Sequence, residues 1–247
     1  NLSMRLAKET VDFMKENQDT EQGPSGVYAQ KAKLFHFLAG IYNQQPDHDL
    51  AVNLKSFGTQ HIQFLVENTE VHPRVAEGFA ALSDYIHHIQ NQPNAGIKED
   101  LAVDWTRLFR GVSPDYGPKP PYESVYRAAG KEDQSQMTEV LSSLMAEYQQ
   151  AMVVINKENR NRPDYIGLEL GFVGYLLEQA EQAETQGEQE QAEDYAQRAA
   201  RFISNHLKKW IFRYIKEAED YVETGFYRGV MLITEGVVRE FSVPPNH

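Results

Sequence analysis

Residues 164–179 read DYIGLELGFVGYLLEQ, and this run decides the fold. Apolar residues cover almost every side of the helix it predicts, so other elements must enclose it. Gly167, Gly171 and Gly174 remove side chains along it and let neighbours pack close, at a cost of about 1 kcal/mol each in helix propensity. Pro163 suits a first helical turn, and Asp164 is expected to cap the free amides there while facing the positive end of the helix dipole. One carboxylate, Glu169, falls inside the apolar run and must find a partner or shift its pKa. An ion pair with an arginine is the expected account.

The same helical period continues on both sides. A first helix is predicted from about Ser3 to Glu16, with a turn at Gly23-Pro24 and Ser25 as the cap of a second helix. In that second helix Leu34, Leu38, Ile41 and Tyr42 share a face, widened by Phe35 and Phe37. Asp47 to Glu70 carries Leu50, Leu54, Phe57, His61, Phe64 and Leu65, with Gly58 placed to break it in two. Val75, Phe79, Leu82, Ile86 and Ile89 follow from Pro73, and Ile97, Leu101, Trp105, Leu108 and Phe109 follow Pro93. Val140, Leu141, Leu144, Met145, Tyr148 and Met152 mark a helix over about 135–155, before a polar NKENRNRP segment. Glu178 to Asp194 holds seven acids, no Lys or Arg, and a turn at Gly187, which reads as a solvated helical hairpin. Tyr195, Ala199, Phe202 and His206 lead into Trp210, Ile211, Tyr214, Ala218 and Tyr221. Gly225 then separates a last helix with Val230, Ile233, Val237 and Phe241, ended by Pro244-Pro245. No alternating strand pattern and no repeat is present, so the expectation is an all-α fold, one globular multi-helix domain over residues 1–247.

One stretch breaks the pattern: residues 104–127, DWTRLFRGVSPDYGPKPPYESVYR. Pro114, Pro118, Pro120 and Pro121, with Gly111 and Gly117, forbid a regular helix or a central strand between about 111 and 122. Trp105, Leu108 and Phe109 precede this loop, Tyr116 lies within it, and Tyr122, Val125 and Tyr126 follow. A long loop bracketed by aromatics in a helical domain is a place where function is expected. On composition alone it is equally an inter-helix connection whose aromatics belong to the core.

Composition narrows the function classes. Lys plus Arg is 24 and Asp plus Glu is 36, so the net charge of −12 opposes nucleic acids and anionic membranes as partners and favours a basic one. With no cysteine, thiolate metal sites, disulfides and thiol catalysis are excluded. There is no HExxH, phosphate-binding loop, GxSxG or dinucleotide fingerprint. Asp84, His87 and His88 have metal-like spacing but lie off the apolar stripe of their helix and read as a solvated face. His36 and His61 read as core or boundary histidines. No run approaches the roughly 18 apolar residues of a membrane span, and the N-terminal NLSMRLAKETVDFMKENQ lacks the apolar core of a secretory signal. The expectation is a soluble cytoplasmic protein without stable membrane insertion.

The run WTRLFRG, then Pro114, then PKPPYESVY, followed some forty residues later by RPDYIGLELGFVGYLLEQ, resembles the TorD and DmsD-like maturation chaperones of molybdenum-containing reductases. The resemblance covers nearly the whole chain, with both blocks in the family's order. It implies a cytoplasmic, non-enzymatic chaperone with no cofactor of its own. Such a protein binds the twin-arginine signal peptide of a partner oxidoreductase, holds back its export and assists insertion of the molybdenum cofactor. The partners implied are that signal peptide and the catalytic subunit of a reductase or dehydrogenase, with the chaperone a monomer or a helix-swapped dimer. On matching positions, Trp105, Leu108, Phe109, Gly111, Pro121, Tyr122, Ser124, Val125 and Tyr126 belong to the first motif and Asp164 to the second. The family often has Trp-Gly where this chain has Tyr122-Glu123, and Asp-His where it has Asp164-Tyr165. The second departure removes an ionisable imidazole.

A twin-arginine signal joins a basic stretch to an apolar one, so its receptor needs an apolar groove with carboxylates near it. Asp164, Glu123 and Glu169 are the carboxylates expected there, Tyr165 stands beside them, and Asp104 is a further candidate. The alternatives are a helical scaffold for assembling a redox complex without signal binding, and an enzyme, for which Asp164 with Glu169 is the one thin acid-base pair.

Overall fold

The computed structural model describes residues 26–56, 72–128, 134–155 and 161–241. Nine named helices run through them: α1 Val27–Asn43, α2 Pro73–Ile89, α3 Asn94–Phe109, α4 Glu123–Arg127, α5 Gln134–Gln150, α6 Ile166–Thr185, α7 Gln189–Asn205, α8 Leu207–Ala218 and α9 Gly225–Glu240. A further helical stretch at 48–56 begins where the Asp47 carboxylate accepts from the Leu50 amide at 2.8 Å. Among the described residues the β-structure is a single antiparallel bridge, Tyr122 with Tyr165, so the fold is all-α. The expected helix over 3–16, the cap Ser25, the stripe residues Phe57, His61, Phe64 and Leu65, and the terminal Pro244-Pro245 lie outside the described residues.

α6 is the enclosed helix that its composition predicts, buried at every position from Ile166 to Gly174. Its glycines set how close α1 comes: a Cβ on Gly167 would sit 2.6 Å from the Asn43 side chain, and one on Gly174 would sit 2.8 Å from the His36 ring. α7 returns along α6 after Gly187, whose φ of +78° makes the turn that glycine adopts without strain. α2 and α9 form a second close pair, α2 starting on Pro73 with the His72 ring accepting the Arg74 amide at 3.1 Å. One cluster of buried apolar side chains draws on all nine named helices.

Three helix boundaries differ from the sequence reading. α5 ends at Gln150 rather than near 155, and Met152, expected on its stripe, is exposed with φ +55°. α6 starts at Ile166 behind Tyr165, and the Asp164 carboxylate caps nothing in α6 but turns to Ser124 in α4. The stripe read through His206 is broken there: His206 has φ −117° and ψ −83°, ending α7 and starting α8. Helical spacing on both sides of a one-residue bend looks continuous in sequence, because the bend alters direction without altering the period.

Candidate functional site

The two motif blocks meet through main-chain hydrogen bonds. The Glu123 amide donates to the Asp164 carbonyl at 2.9 Å, and the Ile166 amide donates to the Pro121 carbonyl at 3.0 Å. These two bonds flank the Tyr122–Tyr165 bridge, whose rings lie 5.3 Å apart. Pro121 is suited to such an edge because it needs only to accept. The prolines thus stop the chain from folding as helix at the one place where it pairs as strand.

Asp164 is wholly buried and fully engaged. Its Oδ2 accepts from the Ser124 amide at 3.1 Å and from the Ser124 hydroxyl. Arg162 adds a fork, Nε to Oδ1 and Nη2 to Oδ2, each at 3.2 Å. Glu123, also buried, accepts from Arg127 at 2.6 Å and pairs with His206 Nδ1 at 2.9 Å. Glu169 does not find the arginine expected for it. It accepts from the Trp210 indole N–H at 3.1 Å through Oε2, beside the Glu123 carboxylate. Burial, then the neighbouring Glu123 charge, raises its pKa well above the usual value, the Trp210 bond opposing them. Tyr148, facing the same carboxylates from α5, is likewise pushed up, first by burial and then by Glu169.

The apolar members of the first motif are placed in the interior. Trp105, Leu108 and Phe109 are buried, with Phe109 edge-on to Tyr42 and Tyr227. Tyr126 stacks on Trp210 and donates to the Lys119 carbonyl at 2.9 Å, and Gly111 and Pro120 touch at the start and end of the loop. Tyr165 is enclosed and donates to the Tyr42 carbonyl at 2.7 Å. Tyr122 is half-buried and meets solvent, and Val112 and Tyr116 of the loop are exposed. Asp104 makes its contacts elsewhere: it accepts from the amides of Glu223 and Thr224 and from the Thr224 hydroxyl, which ties α3 to the start of α9.

The sequence reading did not single out Arg162, Arg127, His206 or Trp210 as members of this site. A buried carboxylate implies a buried cation or donor near it, yet several Arg and Trp residues could have supplied one. An imidazole does stand in this site, that of His206 from the junction of α7 and α8, bonded to Glu123. Asp84, His87 and His88 are exposed, and among the described residues no group of acids and histidines is spaced to hold a metal ion. A surface cavity of about 410 Å³ between Tyr85, Asp100 and Glu223 shares no residue with the motif blocks. Among the described residues no helix is long and apolar enough to cross a membrane.

Two motif blocks thus meet as a paired loop that carries carboxylates within an all-helical frame. The family model described as nitrate reductase delta subunit matches residues 68–216, more than half of the chain. Chaperone protein TorD of Vibrio atlanticus is 24% identical over 206 residues, covering 81% of this chain and 87% of that protein. Chaperone protein TorD of Vibrio parahaemolyticus is 26% identical over 180 residues, 73% and 75% of the two chains. That of Photobacterium profundum is 28% identical over 155 residues, 63% and 67%. The chain belongs to this family, the TorD and DmsD-like molybdoenzyme maturation chaperones, and is a chaperone rather than an enzyme.

Proposed function

We propose that this chaperone acts in the cytoplasm on a molybdenum-containing oxidoreductase, binding its twin-arginine signal peptide, holding back export and assisting cofactor insertion and assembly. The observation that carries the reading is the pairing of residues 121–123 with 164–166, which brings a half-buried tyrosine and the acids of both motif blocks to one place. In this reading Tyr122 and Asp164 contact the peptide. Glu123, Ser124, Tyr165 and Glu169 position them, and Trp105, Leu108, Phe109, Gly111, Pro121 and Tyr126 support the surface from beneath. The net charge of −12 favours approach of a basic segment. The chain is taken as one domain, because a single core draws on every named helix.

Calorimetry with a twin-arginine peptide from the same genome tests this. Binding is expected, and Tyr122→Ala weakens it without unfolding the protein. The burial of Trp105, Leu108 and Phe109 favours a second reading, in which the loop braces a scaffold for redox-complex assembly. No affinity for any such peptide would replace the first reading by the second.

A further inference from the structure

Asp164, the acid expected to receive a client arginine, is already occupied. Arg162 meets both oxygens of Asp164 with a two-point contact at 3.2 Å, the planar geometry that selects guanidinium. Its Nη2 also reaches the Ser124 hydroxyl at 3.0 Å, and its Cζ stands 4.5 Å from the centre of the Tyr122 ring. A carboxylate, a hydroxyl and an aromatic face thus surround one guanidinium on the surface where the peptide is placed above. Resting on that placement, we propose that Tyr122, Ser124 and Asp164 form a guanidinium site that Arg162 fills in cis until an arginine of the client displaces it.

Exchange rather than addition follows from three observations. Asp164 is wholly buried, so an incoming cation reaches it only where Arg162 has left. Arg110 stands close to the same tyrosine, bonded to Asn161 at 3.2 Å, while Asn161 in turn accepts from the Tyr122 hydroxyl at 3.4 Å, so an added cation would meet like charge. The Arg162 side chain is 41% exposed and can move into water, whereas Arg127 is 28% exposed and its acid is shared with the buried His206. Exchange also keeps Asp164 compensated throughout, avoiding the cost of a lone buried charge. Because Arg162 is tethered beside the site, free arginine competes poorly; an arginine carried on a peptide anchored by its apolar stretch does not. The resident arginine therefore acts as a specificity filter for that pairing.

The test compares the wild type with Arg162→Ala and Arg162→Lys. Emptying the site raises affinity for the arginine peptide in Arg162→Ala by about tenfold or more, because no fraction of the molecules is closed by the plug. A peptide with both arginines replaced by lysine gains less. Methylguanidinium chloride, added at concentrations well below denaturing ones, stabilises Arg162→Ala saturably against heat, whereas methylammonium and the wild type show no such effect. If Arg162→Ala does not fold, Arg162→Lys serves, since lysine keeps the charge but lacks the fork, and its affinity for the arginine peptide still exceeds that of the wild type. Arginine-peptide affinity that is unchanged or lower in the variants, with no methylguanidinium effect, overturns the proposal. Methylguanidinium stabilisation without any peptide binding keeps the guanidinium site and removes the signal-peptide reading instead.

Discussion

Where α2 crosses α9, contact is made by removing side chains; where α4 meets α6 and α8, it is made by burying charges. In the first junction Gly78 and Gly229 bring backbones together, and a Cβ on Gly78 would lie 2.7 Å from the Gly229 carbonyl oxygen. In the second, three buried carboxylates and a buried histidine stand beside Trp210, and two partly exposed arginines close on the carboxylates. The glycine crossing needs only space and has one arrangement. The charged junction needs a partner for each group, and partners can be exchanged or titrated. On the proposed function, a basic client uses the second kind of junction at the site and leaves the first kind undisturbed.

The largest expected effect breaks the glycine crossing. Gly78→Val drives side-chain atoms into the Gly229 backbone and Ile233, and stability falls by about 3 kcal/mol in urea unfolding. Client affinity of the molecules that remain folded is unchanged, since no motif residue is touched. Next comes Asp164→Asn, which keeps the shape but removes the charge facing Arg162 and Ser124. Stability falls by about 2 kcal/mol and client binding is lost. A loss of stability with full binding would place the client elsewhere.

A pH series sharpens the comparison further. Glu169 holds its proton more tightly in the folded protein than in the unfolded chain, because burial and Glu123 disfavour its charge. Its contribution is therefore complete at and below the usual Glu value of 4.5 and is lost as pH rises through the raised folded value. Over that upper window the loss reaches at most about 1.4 kcal/mol per pH unit. Glu169→Gln, which resembles the protonated form, flattens the profile. Parallel profiles for the two proteins would mean that Glu169 does not carry the proton. The smallest effect belongs to Glu77→Gln, which breaks the exposed Arg74–Glu77 pair on α2 and costs under about 0.5 kcal/mol.

Much of the fold was legible because its signals are local. The enclosed α6, the hairpin turn at Gly187 and the stripes of α2, α3 and α9 follow from spacing that any short window contains. At the site, residue types were legible and roles were not. Glu169 announced itself as a carboxylate in an apolar run, but its partner proved to be an indole rather than a guanidinium. Asp164 looked like the cap of its own helix and serves α4 instead, since the 121–123 and 164–166 pairing turns it that way. Trp105, Leu108 and Phe109 could be read equally as anchors or as core, because an aromatic beside a loop has the same pattern in both settings.

By itself, the sequence determined the all-helical class, the place of the Pro-rich loop, the acidic surface and the family. Each depends on composition or on neighbours along the chain, where covalent geometry sets the spacing. Only the tertiary structure decided that Arg162 closes on Asp164, that His206 pairs with Glu123, and that burial pushes the Glu169 carboxyl up. Those outcomes depend on which groups arrive together in a dry interior, where each charge is stabilised or suppressed by whatever stands beside it. That company is set by how helices pack across the molecule, which no local spacing encodes.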